Sequence, residues 1–245
     1  MATELAGRKA LVTGGAVRLG RAIALALAGA GCDVAIQYRS SESEAREVLA
    51  TVTRCGVRAA ALQADLARPD ECARVVGAAR EALGGLDVLV NSAAIFLPGD
   101  LRTTSLEEWD RQLALDLRAP FLLAQAFAAG VPAGARGSVV NVTDARVGRP
   151  APGHLAYRVA KAGLAHLTEL LALELAPGIT VNAVAPGAML APPGEATEAF
   201  ELRVASAVPL RRAGGAEPVA DAVLFLLRQD FVTGVTLPVD GGEFL

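Results

Sequence analysis

Tyr157 and Lys161 stand four residues apart in the stretch Val139–Lys161, VVNVTDARVGRPAPGHLAYRVAK. On a helix that spacing puts both on one face. A phenol beside an ammonium has a chemical use: the positive charge favours the phenolate and brings an acid of pKa about 10 nearer to working pH. The alternative is a chance pairing of two helix residues. Composition bears on the choice. Of the 23 Lys and Arg residues only Lys9 and Lys161 are lysines, and the 2 tyrosines are Tyr38 and Tyr157. A chain that otherwise uses Arg for its cations has kept a compact ammonium here, with rotatable donors that fit where a planar guanidinium does not.

The pair needs a frame. Val139, Val140 and Val142 read as a buried strand leading towards the helix that carries it. The same alternation runs through the whole chain. Strands are expected at Lys9–Thr13, Asp33–Gln37, Arg58–Leu62, Asp87–Val90, Ser138–Val142, Thr180–Ala185 and Thr236–Val239. Helices are expected near Leu19–Ala28, Ser41–Arg54, Pro69–Leu83, Leu106–Ala129, Ala156–Leu175 and Pro218–Arg228. Pro69 and Pro218 suit a first helical turn, and Ser105 with Glu108 makes a capping box. This pattern predicts an α/β fold with a parallel sheet covered on both faces. The longest irregular connection, Pro186–Pro209, contains a short helical piece and has the character of a lid.

At 245 residues the chain reads as one domain, with a first half to about residue 135 and a second half beyond it. Hydrophobic content is 53% and aromatic content 4%, so the core is built from Ala, Val and Leu. A net charge of −3 gives no support to a nucleic-acid surface. No apolar run approaches the roughly 20 residues of a membrane span, and Met1–Lys9 lacks the order of a signal peptide. Cys32, Cys55 and Cys72 lack metal-type spacing and suit a reducing, cytoplasmic setting. His154 and His166 are too few to suggest a metal site.

The turn Thr13-Gly14-Gly15-Ala16-Val17-Arg18-Leu19-Gly20 follows the first strand and opens the first helix. Glycines there allow close backbone approach, and the helix N-terminus offers free N–H groups to a pyrophosphate. The second strand runs into Gln37-Tyr38-Arg39-Ser40-Ser41 without the acidic residue that meets an unphosphorylated ribose. Arg39, the Ser40 and Ser41 hydroxyls and Arg18 can surround a phosphate instead, which favours NADP(H) over NAD(H). Glu42 opposes this unless it starts the next helix and faces away. Asp65 can accept from an adenine amino group or serve as a helix cap.

On these residues the chain resembles the short-chain dehydrogenase/reductases over essentially its whole length. The matching pieces are TGGAVRLG at 13–20, ADL at 64–66, NSAA at 91–94, YRVAK at 157–161, VNAVAPGAM at 181–189 and VDGG at 239–242. The resemblance implies a Rossmann-type, doubly wound sheet of about seven parallel strands, a nicotinamide cofactor (NADPH/NADP+) and a homodimer or homotetramer. It implies Tyr157 as proton-transfer acid and Lys161 as ribose binder and phenol activator. Gly14, Leu19, Leu66, Asn91, Ser92 and Ala93 would line the cofactor, and Pro186, Gly187 and Met189 would border the nicotinamide.

The departures from that family pattern are informative. Thirteen residues before the Tyr the family has a Ser; here Asp144 stands there, and Asp116 stands where a helical Asn is usual. A Ser hydroxyl donates to a ketone oxygen, whereas an ionised carboxylate only accepts. Asp144 would also oppose a tyrosinate: unit charges about 4 Å apart at an effective dielectric near 20 repel by on the order of 4 kcal/mol. That pushes Tyr157 towards the phenol, the form that gives a proton during reduction. It also calls for a substrate offering N–H donors or basic nitrogens.

Asp–Tyr–Lys, with Arg18 and IQYRSSESEA at 36–45, looks like the pteridine reductase and dihydromonapterin reductase branch. The resemblance implies a pterin or dihydrofolate substrate, with Phe96 stacking on the ring, Arg18 reaching towards it, and Met189 and Leu190 as an apolar wall. Phe96 can instead anchor its loop. Arg146, Arg149 and His154 read mainly as loop residues. The rival readings are a carbonyl reductase acting on 3-oxoacyl or small ketone substrates, with Asp144 protonated or turned away, and a catalytically silent NADP-binding sensor.

Overall fold

The computed structural model describes residues 4–192 and 194–245. Its centre is a seven-stranded sheet in the order β3-β2-β1-β4-β5-β6-β7, with every neighbouring pair parallel. The strands are β1 Lys9–Thr13, β2 Asp33–Tyr38, β3 Ala59–Gln63, β4 Val88–Asn91, β5 Gly137–Val142, β6 Ile179–Pro186 and β7 Thr236–Val239. The expected order and number hold, with ends moved by a residue or so where hydrogen bonding outruns the apolar run. All six residues of β5 are buried, as a continuous Val-rich strand covered on both faces requires.

Helices α1 Arg18–Gly29, α2 Glu42–Arg54 and α8 Glu217–Arg228 cover one face, where Ile23, Val48, Val219 and Leu226 share a core. Helices α3 Pro69–Leu83, α5 Ala119–Ala128 and α6 Leu155–Leu175 cover the other around Val75, Leu123, Phe127 and Leu171. Ser105 and Glu108 form the expected capping box at the start of α4, Leu106–Leu113. The single helix expected over Leu106–Ala129 is interrupted, however: Ala114–Arg118 is a π-turn between α4 and α5. Pro120 explains it. Proline has no N–H to give the carbonyl four residues back, at Asp116, and its ring crowds that carbonyl.

The order reverses between β1 and β4, and in such sheets the crevice beyond the strand C-termini at that point is where ligands sit. The Thr13 hydroxyl joins the two strand ends, accepting from the N–H groups of Ser92 at 3.0 Å and Ala93 at 3.1 Å. Close approach also dictates the glycines. A Cβ on Gly14 would lie 2.9 Å from the Ala93 Cα, and one on Gly20 would lie 2.2 Å from the Gly14 carbonyl oxygen. The lid segment contains α7, Thr197–Ala207, longer than the sequence pattern suggests. Its Phe200 and Val204 are buried with Val208 against Ala188, Ala191 and Ala213. Pro193, within the lid, lies outside the described residues.

Candidate active site

Beyond the C-terminal ends of β1, β2 and β4, a cavity of about 170 Å³ is lined by Gly14, Tyr38, Arg39, Ser40, Ser41, Asp65, Leu66 and Ala93 among others. Eight positions expected to hold a cofactor thus converge on one space. Gln37 is not free to read a ribose: its side-chain oxygen accepts from Gly14 N–H at 3.0 Å and its amide donates to the Ala64 carbonyl at 2.7 Å. Glu42 opens α2 and pairs with Arg46 one turn along the same helix. The α1 N-terminus has no side-chain cap and no acidic residue in its first turn, so its N–H groups remain available to an anion. Asp65 spends one oxygen on the Ala67 N–H at 3.1 Å, a turn-capping role.

Arg18 departs from a simple phosphate reader. Its φ of 52° is uncommon outside glycine, and its guanidinium reaches the Leu190 carbonyl at 3.4 Å, linking the glycine turn to the lid. Leu19 is a helix residue packed against the core. Met189 is buried, and Gly187 closes a tight join, its N–H donating to the Val239 carbonyl at 3.0 Å. Pro186 ends β6. Asn91 is buried and donates to Asn141 Oδ1 at 2.8 Å, which ties β4 to β5, and the Ser92 N–H is held by the Thr13 hydroxyl.

Asp144, Tyr157 and Lys161 meet beyond the end of β5. Tyr157 Oη donates to Asp144 Oδ2 at 2.9 Å. The other Asp144 oxygen accepts from the Arg146 N–H at 2.7 Å, capping the 3₁₀ turn Ala145–Gly148. The carboxylate is therefore aimed at the phenol by its own backbone turn. Lys161 is buried, donates to the Val142 carbonyl at 2.9 Å and lies 5.8 Å from the Tyr157 ring centroid. Asp116, brought in by the π-turn, accepts from the Ile95 N–H at 3.0 Å and stands 3.6 Å from the Lys161 ammonium. Burial raises the Asp116 pKa, and Lys161 opposes that rise. The Tyr157 phenol is pushed well above its ordinary pKa, first by burial and then by the charge and hydrogen bond of Asp144.

Phe96 meets both expectations in part. One face of its ring is stacked on His154, with centroids 3.8 Å apart at 15°, and its edge-on contact with Tyr157 has centroids 4.6 Å apart at 88°. It is still 47% exposed. A flat ligand can use only the face that His154 leaves free. His154 is not a plain loop residue, since its Nδ1 is also 2.9 Å from the Leu97 carbonyl oxygen. Arg146 faces Glu243 near the C-terminus at 3.5 Å, and Arg149 is exposed.

A cavity of about 260 Å³ joins Phe96, Asp144, Tyr157 and Lys161 to Arg146 and Arg158. Nothing in the sequence pattern singles out Arg158 or Glu243. Arg158 was one arginine among many; its adjacency to Tyr157 was the available signal. Its Nε donates to the Gly153 carbonyl at 2.9 Å, holding the loop before α6.

Removing the Asp116 carboxylate leaves the Ile95 N–H without its acceptor and takes the neighbouring negative charge from the buried Lys161 ammonium, which keeps its bond to the Val142 carbonyl. Asp116→Ala is expected to cost about 3 kcal/mol, lowering the melting temperature by roughly 6–12 °C in calorimetry. An unchanged melting temperature would show that the pair contributes nothing net.

A family profile described as enoyl-(acyl carrier protein) reductase matches residues 15–243. The chain belongs to the short-chain dehydrogenase/reductase family. A 3-oxoacyl-[acyl-carrier-protein] reductase of Synechocystis is 36% identical over 98% of this chain and 98% of its own length. A short-chain dehydrogenase from Burkholderia cenocepacia, solved with NADP, superposes with a TM-score of 0.92 at 37% identity, covering 99% of this chain and 100% of its own. FolM alternative dihydrofolate reductase 1 from Brucella canis, also solved with NADP, gives 0.91 at 34% identity over 98% of this chain and 96% of its own. Within the short-chain dehydrogenase/reductases, then, this chain is similar both to an oxoacyl reductase and to a dihydrofolate reductase.

Proposed function

We propose that this chain is an NADPH-dependent reductase of pterin-type substrates, such as a dihydropterin, dihydromonapterin or dihydrofolate. The observation that carries the reading is the 2.9 Å hydrogen bond from Tyr157 Oη to Asp144 Oδ2. An acceptor stands where reduction of a ketone calls for a second donor. The likeness to the Brucella FolM structure supports the same reading.

The donor set fits the cofactor. Arg39, Ser40 and Ser41, with no carboxylate at the end of β2, suit a 2′-phosphate, and the uncapped α1 N-terminus suits a pyrophosphate. Lys161 would hold the nicotinamide ribose, and Gly187 and Met189 would border the ring. When bound, the reduced nicotinamide supplies a hydride. The protein's own residues handle protons and orientation. Tyr157 keeps its proton through neutral pH and presents it to a ring nitrogen. Asp144 receives a substrate N–H on the lone pairs left by Tyr157 and Arg146. Phe96 offers its free face to a flat heterocycle.

The test is NADPH oxidation with dihydrobiopterin, dihydromonapterin and dihydrofolate; no turnover on any of them removes the reading. Reduction of 3-oxoacyl substrates is the second reading, favoured by the Synechocystis relative, and ketone turnover that survives Asp144→Ala would support it. For cofactor choice, NADPH is expected to raise the melting temperature more than NADH at equal concentration. Equal shifts would contradict the assignment of Arg39, Ser40 and Ser41. Self-association is part of the proposal: Phe121 on α5 and Leu170 and Leu173 on α6 are exposed apolar residues, of the kind that mark a subunit contact.

A further inference from the structure

The cavity beside the phenol is lined by three cations, Arg146, Arg158 and Lys161, and by the Asp144 carboxylate. Two of the cations have a carboxylate of their own: Asp116 stands 3.6 Å from Lys161, and Glu243 stands 3.5 Å from Arg146. Arg149, on the same loop, is exposed. Arg158 forms no ion pair among the described residues; its protein partner is a backbone carbonyl. Asp144 forms none either, since its oxygens accept from the Tyr157 hydroxyl and the Arg146 N–H. One unmatched anion and one unmatched cation therefore face the same space.

Arg158 is half-buried and donates from Nε to the Gly153 carbonyl at 2.9 Å. Its terminal nitrogen Nη1 is buried without a hydrogen-bond partner among the described residues. A guanidinium has several N–H donors, and a buried one left without an acceptor costs free energy, more so when charged. Holding one loop carbonyl needs a single neutral donor and does not account for a forked cation. That fork matches the paired oxygens of a carboxylate. Tyr157 and Arg158 are consecutive on α6, so their side chains leave the helix about 100° apart. A ligand lying between them meets the proton donor with one part and the guanidinium with another.

We propose that Arg158 selects substrates that carry a carboxylate, binding that group in the cavity while the reducible part lies against Tyr157 and Asp144. The inference rests on the proposed reductase reading and narrows its substrate class. Dihydrobiopterin and dihydromonapterin have no anionic group, whereas dihydrofolate ends in carboxylates. The dihydrofolate ring offers N–H donors to Asp144 and its tail offers oxygens to Arg158, so both unmatched charges find a partner in one molecule. A neutral dihydropterin meets only the first. Esterifying the tail keeps its atoms in place but removes the charge, and with it most of the attraction to a guanidinium.

The experiment compares each acid with its own ester: dihydrofolate with its dimethyl ester, and acetoacetate with ethyl acetoacetate. NADPH oxidation by the wild-type protein and by Arg158→Met gives kcat/KM for all four. In the wild type the acid is expected to exceed the ester by about tenfold or more in at least one pair, the effect of one charge-assisted hydrogen bond. In Arg158→Met that ratio is expected to fall to near one, through a raised KM for the acid. Should that variant fail to fold, Arg158→Gln keeps an N–H donor without the charge and is expected to lose the ratio in the same way. Losing the Gly153 contact alone would slow acid and ester alike, so a folded variant with its ratio unmoved overturns the proposal. A wild-type ratio near one in both pairs also overturns it. Pterin turnover with both ratios near one keeps the pterin reading and removes this inference. Preference for acetoacetate over its ester, with neither pterin turned over, does the opposite, and turnover of none of the four removes both.

Discussion

In Asp144→Ser, dihydropterin reduction is expected to fall about 100-fold in kcat/KM, equivalent to losing a charged hydrogen bond of about 3 kcal/mol. Ketone reduction is expected to rise, because the hydroxyl donates where the carboxylate only accepted. The pH dependence should change with it. The phenol is the active form in reduction, so activity is present below the Tyr157 pKa and lost as pH rises through it. In the wild type that pKa is raised well above 10, by burial first and by Asp144 second. Removing Asp144 leaves burial and takes away the charge, so the alkaline limit moves to lower pH. Pterin and ketone kinetics across the alkaline range check both effects. An unchanged substrate ratio would mean that Asp144 does not choose the substrate.

Tyr157→Phe is expected to lower kcat by about 10²- to 10⁴-fold, the usual contribution of a positioned proton donor. NADPH should still raise the melting temperature of this variant, because Lys161, the glycine turn and the Arg39–Ser41 segment are untouched. Losing both together would point to a folding defect rather than lost proton transfer. The packing argues against such a defect: among the described residues the phenol oxygen has one partner, Asp144, and the ring retains its edge contact with Phe96.

Much of the candidate site is legible in the sequence. The i, i+4 spacing of Tyr157 and Lys161 survives because both lie on α6, where helix geometry alone puts them on one face. Glycine positions in the first turn were legible for a similar reason: backbone crowding at Gly14 and Gly20 leaves no room for Cβ. Phe96 shows the limit. Its sequence position marked it as an aromatic near the site, but nothing local indicated that His154, 58 residues further on, would cover one of its faces. The continuous helix expected over Leu106–Ala129 failed at one residue, Pro120, whose missing N–H is visible in the sequence although the π-turn that relieves it is not.

The order of the strands, the glycine turn after β1, and the exchange of a hydroxyl for a carboxylate at Asp144 are all legible in the residues themselves. Each is local, set by side-chain periodicity or by the chemistry of one residue. Folding is what brings Asp116 to Lys161, Glu243 to Arg146, and Arg158 to the cavity beside the phenol. Those contacts join segments far apart in the chain, or depend on which way a side chain turns. Packing chooses such contacts, and no repeat in the sequence encodes them.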